Sequence, residues 1–119
     1  NHAAVSNAIQ QRLADGVAFS LPTGEELSLA ERLIDWFPYA ERVRFGKNGS
    51  DATSGAVRAA RAYTGRDLIL CCGYHGWQDW FIGTTTRNAG VPSAVSELTI
   101  PFPYDDSALL EEFIGTIHR

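Results

Sequence analysis

The stretch Gly49-Ser50-Asp51-Ala52 is a glycine turn leading into an alanine-rich run. A helix that starts there offers free backbone N–H groups and the positive end of its dipole. Gly49 lets the backbone approach a ligand closely, and Ser50 adds a hydroxyl. Together they make an anion site suited to phosphate. The same residues also fit a plain capped helix with Ser50 as the N-cap, and the two roles can coexist. The turn is not a Walker loop, because Lys47 precedes the glycine and the glycine spacing differs.

A second candidate is Tyr74-His75-Gly76, just beyond the apolar run Leu68-Ile69-Leu70-Cys71-Cys72. In open α/β sheets, ligands bind outside the carboxyl ends of the strands. Tyr74 could stack on a flat heterocycle, or pack on the core beside Trp77. His75 could act as an acid or base. Its local motif offers no carboxylate, which favours a structural or hydrogen-bonding role. His2, His75 and His118 show no metal-ligand spacing with one another or with the cysteines, so no metal site is expected. Asp105-Asp106 reads as a helix cap rather than a catalytic pair, and no Gly-x-Ser-x-Gly elbow is present.

These residues need elements to hold them. Val5, Ile9 and Leu13 recur at helical spacing, and Gly16 reads as the stop. Thr23 and Glu26 fit a capping box for a helix whose face is Leu27, Ala30, Leu33, Ile34 and Phe37, ending before Pro38. Arg42-Val43-Arg44-Phe45 alternates and predicts a short strand. From Asp51 to Tyr63 the pattern predicts a helix, with Ala52, Ala56, Ala59, Ala60 and Tyr63 as a narrow face for close packing. Leu68 to Cys72 suits a strand covered on both faces. Gly83 to Pro92 reads as a mobile polar loop. Glu97 to Ile100 reads as a strand. A last helix, capped by Asp105 or Asp106, presents Leu109, Leu110, Phe113, Ile114 and Ile117. Strands alternating with helices imply an α/β fold with a largely parallel sheet. No strand follows the last helix, so the architecture reads as unfinished.

The bulk numbers narrow the partners. The chain has 119 residues, 45% hydrophobic and 20% charged, with a net charge of -4. That is ordinary globular composition. The arginines are spread and outnumbered by acids, so neither nucleic acid nor an anionic membrane is an expected partner. No run approaches the ~20 apolar residues of a membrane span. No basic stretch precedes an apolar one at the start, as a signal peptide would require. Asn1 in place of methionine suggests that the natural start lies elsewhere. Cys71 and Cys72 are adjacent, and neighbours on a strand point to opposite faces, so a disulfide between them is disfavoured. Buried free thiols fit a reducing, cytoplasmic setting.

Three stretches occur together in a familiar order: residues 42–52, then Ala59-Ala60-Arg61-Ala62-Tyr63-Thr64-Gly65-Arg66, then Gly73-Tyr74-His75-Gly76. Together they resemble class III aminotransferases that depend on pyridoxal 5'-phosphate (PLP), most of all the glutamate-1-semialdehyde aminomutase-like branch. His2-Ala3-Ala4-Val5 and Phe19-Ser20-Leu21-Pro22-Thr23 also fit. The resemblance covers nearly the whole chain and implies the aspartate-aminotransferase fold (fold type I). Residues 1–119 would then be the N-terminal part of the PLP-binding large domain, with the rest of that domain and the small domain absent. By the same resemblance, Gly49 and Ser50 hold the cofactor phosphate, Tyr74 stacks on its ring, and His75 follows in the pocket.

The family usually has Ser-Gly-Thr-Glu-Ala where this chain has Asn48-Gly49-Ser50-Asp51-Ala52. Ser50 keeps a hydroxyl, while the shorter Asp51 leaves its own contacts open. The only lysine is Lys47. In the family, the lysine that carries the cofactor as a Schiff base lies far downstream, so no catalytic residue is expected here and this stretch alone should be inactive. The whole enzyme, a homodimer by resemblance, would pass an amino group from a donor to a carbonyl acceptor. One alternative is an intramolecular amino shift on a semialdehyde. Another is a stand-alone, non-catalytic binding or dimerisation module.

Overall fold

The computed structural model describes residues 2–117 and falls into two compact units, Asn1–Arg44 and Phe45–Arg119. His118 and the side chain of Ile117 lie outside the described residues.

The first unit holds two helices. Helix α1 spans Ala3–Leu13, with the His2 side chain accepting a hydrogen bond from Ala4 N. Its stripe of Val5, Ile9 and Leu13 is more than half exposed. Helix α2 spans Gly24–Trp36. The expected capping box forms: Glu26 N donates to Thr23 Oγ1 (3.4 Å), and Thr23 N donates to Glu26 Oε2 (3.2 Å). Phe37 ends the helix, because the residue before a proline is pushed out of helical geometry. An Arg12–Glu25 ion pair at 2.7 Å lies within this unit, but both partners are exposed, so water screens most of its value.

The strand expected at Arg42–Phe45 does not form. An alternating pattern makes a strand only when another strand supplies its hydrogen bonds, and none does so among the described residues.

The second unit begins with α3, Gly49–Thr64, which ends at Gly65 in the left-handed conformation (φ 67°). Its half-buried face is Ser50, Thr53, Ser54, Val57 and Arg61, while the expected face of Ala52, Ala56, Ala59, Ala60 and Tyr63 is exposed. The polar face wins because its groups find partners within the unit. Arg61 Nε, for one, donates to Asp67 O at 2.7 Å.

Strands β1 (Ile69–Cys71) and β2 (Thr99–Pro101) pair in parallel, with Ile69 opposite Thr99, Leu70 opposite Ile100 and Cys71 opposite Pro101. Between them lie two single-turn helices, α4 (Asp79–Ile82) and α5 (Ser93–Ser96). Helix α5 delays the strand expected from Glu97, because Glu97 N still donates to Ser93 O. Helix α6, Ser107–Ile117, is capped by Asp106, whose Oδ1 accepts from Leu109 N at 2.9 Å. Leu109, Leu110 and Phe113 are half-buried, as its apolar pattern predicts, whereas Ile114, expected on the same face, is exposed.

The parallel pair with flanking helices is the expected α/β arrangement. Its core is small: Cys71, Phe81 and Thr99 are buried, with Gly76 and Gly83. Ile69 and Leu70 are only half-buried, so the first strand is not covered on both faces as its apolar run suggested. No helix among the described residues is long and apolar enough to cross a membrane.

Candidate functional site

The first turn of α3 is organised by Asn48, not by Ser50. Asn48 Oδ1 accepts from Asp51 N at 3.0 Å, which makes Asn48 the N-cap. The signal was present in the sequence, since asparagine is among the preferred N-caps. Asp51 folds back, its Oδ2 accepting from Lys47 N at 3.2 Å. The contacts left open for Asp51 are therefore those of its own turn. The amide N–H groups of Gly49 and Ser50 have no acceptor among the described residues. Two free donors and a hydroxyl thus stand together at the positive end of a 16-residue helix.

The Gly73–Gly76 loop lies against this turn. Gly76 is buried with φ +111°, and a Cβ there would fall 2.9 Å from Ser50 Cβ. Thr53 Oγ1 sits 2.9 Å from His75 O and 3.1 Å from Ser50 O, and its single hydroxyl proton is shared between the two carbonyls. His75 Nε2 lies 2.7 Å from Cys72 O; a carbonyl can only accept, so Nε2 carries the proton. The imidazole stacks on Trp80 (centroids 5.9 Å apart, planes at 26°) and meets Phe81 edge-on. Trp80 Nε1 donates to Ser54 Oγ at 3.1 Å, tying α4 to α3.

Tyr74 does not pack into the core beside Trp77. It is 78% exposed, and its ring contact is a T-shaped one with Phe81 (5.5 Å, 87°). Tyr74 opens onto a cleft of about 710 Å³ that is also lined by Trp77, Asp79, Ile82 and Arg87. Gly49 and Ser50 do not line that cleft. The fold thus brings the loop of Tyr74 and His75 onto Ser50 through Gly76, with Gly49 beside Ser50 at the helix start and Tyr74 turned toward the separate cleft. Sequence reasoning missed Thr53, Ser54 and Trp80 as the links.

Cys71 and Cys72 are free thiols, the first buried and the second half-buried. Burial pushes the Cys71 thiol above its ordinary pKa of 9.0, and the neighbouring Cys72 adds to the rise. Among the described residues no three His, Cys, Asp or Glu side chains gather as a metal site would need.

No family model matches the chain. The glutamate-1-semialdehyde 2,1-aminomutase of Methanopyrus kandleri is 36% identical to it, over 99% of the chain and 29% of that protein. The enzyme of the same name from Halobacterium salinarum is 39% identical, over 94% of the chain and 27% of its own length. Among solved structures, an omega-transaminase from Sphaerobacter thermophilus matches with a TM-score of 0.82 at 33% identity, over 97% of the chain and 30% of that structure. The PLP internal aldimine form of the FumI protein from Sphingopyxis sp. MTA144 matches with a TM-score of 0.81 at 31% identity, over 98% and 28%. The chain spans less than a third of the length of each.

Proposed function

The chain belongs among the class III PLP-dependent aminotransferases, on their glutamate-1-semialdehyde aminomutase-like branch, and from that premise we propose that it is the N-terminal part of the large domain of a longer enzyme. That enzyme transfers an amino group from a small-molecule donor to a carbonyl acceptor. It works as a homodimer in the cytoplasm, where free Cys71 and Cys72 stay reduced.

The observation that carries this reading is the junction of Ser50 and Gly76. It seats the loop that carries the exposed Tyr74 ring on the helix start that carries the free amide donors, and a ligand that is both phosphorylated and flat calls for both kinds of group. PLP fits that description, and when bound it supplies the electron-accepting ring on which amino groups are exchanged. The Gly49 and Ser50 amides and the Ser50 hydroxyl hold the phosphate. Tyr74 offers its ring face. His75, with Nε2 committed to Cys72 O and its ring against Trp80, braces the loop that carries Tyr74 rather than moving a proton.

The exposed surface supports a larger assembly. The chain exposes 9921 Å². Two separate bodies of the two units' sizes would expose about 7,600 Å². That excess argues against a stand-alone module and for cover by further polypeptide. A second reading, an intramolecular amino shift, is favoured by the names of the curated relatives.

The test is a PLP titration of the full-length protein, followed by absorbance. Wild type should bind stoichiometrically. Ser50→Ala should weaken binding roughly three- to tenfold, and Tyr74→Ala about tenfold. A full-length protein without PLP affinity would sink the proposal. Incubating the loaded enzyme with a semialdehyde alone, or with an amino donor and a separate ketone, separates the two reactions.

A further inference from the structure

We propose that Thr53 is a positioning residue whose single hydroxyl fixes the span between the phosphate turn and the ring-bearing loop. This rests on the PLP reading above. Thr53 lies one turn into α3 and is half-buried. Its Oγ1 reaches the carbonyl of Ser50, in the turn, at 3.1 Å. The same atom reaches the carbonyl of His75, the residue after Tyr74, at 2.9 Å.

Among the described residues this is the one hydrogen bond from α3 to the Gly73–Gly76 loop. The other ties reach the loop differently. Trp80 bonds Ser54 from α4, and His75 Nε2 bonds Cys72 within the loop's own segment. Gly76 resting on Ser50 limits how close the loop can come, but contact alone does not stop it from lifting away. Thr53 supplies that restraint.

A ligand with an anion at one end and a ring at the other gains from binding both ends at once. That gain depends on the two subsites keeping the right separation. Thr53 touches neither end of such a ligand. Its effect should appear only when the two ends are joined.

The experiment uses the full-length apo-protein and three probes: PLP, inorganic phosphate and pyridoxal. Thr53→Val should weaken PLP roughly five- to tenfold. Affinity for inorganic phosphate and for pyridoxal should stay at the wild-type level, and the apo-protein should melt no more than a few degrees lower. The visible circular-dichroism band of bound PLP should shrink, because the ring no longer sits at a fixed angle to Tyr74. Thr53→Ser, which keeps the hydroxyl, should restore both.

Wild-type PLP affinity in Thr53→Val would overturn the proposal. So would an equal loss for inorganic phosphate alone, which would make Thr53 a support of the turn only. If the valine variant does not fold, Thr53→Ala replaces it, since alanine favours helix, and the same comparison applies. A wild-type protein that binds no PLP would instead remove the functional reading on which this inference stands.

Discussion

Gly76 lies over Ser50 with no room for a side chain between them. A Cβ on Gly76 would fall 2.9 Å from Ser50 Cβ and 3.2 Å from its Cα, and closer still to its Oγ. The backbone there has φ +111°, which side-chain-bearing residues rarely adopt. Ser50 cannot yield, because its Cα belongs to a helix. Gly76→Ala should therefore cost about 2–4 kcal/mol of stability, from strain and overpacking together. Urea unfolding of the full-length protein measures this, and an unchanged midpoint would contradict the close packing.

Trp80→Phe should keep the aromatic contact with His75 and lose the bond to Ser54 Oγ. The expected loss is about 0.5–1.5 kcal/mol. Ser54→Ala should lose a similar amount, and the double variant should lose little more than either alone. Fully additive losses in that double-mutant cycle would show that the bond is not made in solution.

Thr23→Ala removes the hydroxyl half of the capping box that starts α2. A loss of about 1 kcal/mol is expected. Faster amide exchange should be confined to the first turn of that helix, so exchange rates at Glu25, Glu26 and Leu27 are the measurement. Protection there equal to wild type would argue that the cap is dispensable.

The two cysteines should behave differently. Cys71 is buried with its thiol pKa raised, so its reactive thiolate is scarce in the folded protein. Iodoacetamide at pH 8 should label Cys72 first and Cys71 only after unfolding, as peptide mass spectrometry would read. The raised pKa also sets a sign for stability. The folded state holds the Cys71 proton more tightly than the unfolded chain does. This contribution is complete well below pH 9.0, and it is lost as pH rises through the ordinary value toward the raised one. Stability should therefore fall with rising pH in that window. Equal labelling rates for the two thiols in the native protein would refute the difference.

The four longer helices and most of their ends were legible in the sequence, whereas the single-turn helices α4 and α5 were not. The box of Thr23 and Glu26, the stop before Pro38 and the Asp106 cap all join residues within a few positions of one another. Such bonds form wherever the chain turns helical, so a local pattern suffices to read them. Tyr74-His75 was legible as a loop in the same way, while Gly49-Ser50, read as a turn, forms the start of α3 behind the Asn48 cap.

Tertiary structure decided what required partners far along the chain. Arg42–Phe45 has the alternation of a strand but no neighbour to pair with among the described residues. Helix α3 turns its hydroxyls, not its alanines, toward the rest of its unit because the acceptors and donors lie there. Thr53 meets His75 across 22 positions, and Trp80 meets Ser54 across 26. No periodicity encodes such distances. They exist only once the parallel pairing of β1 with β2 and the packing of α4 have fixed where the loop returns to the helix. The sequence thus supplied the candidate groups, and the fold seated the loop that bears one set on the helix that bears the other.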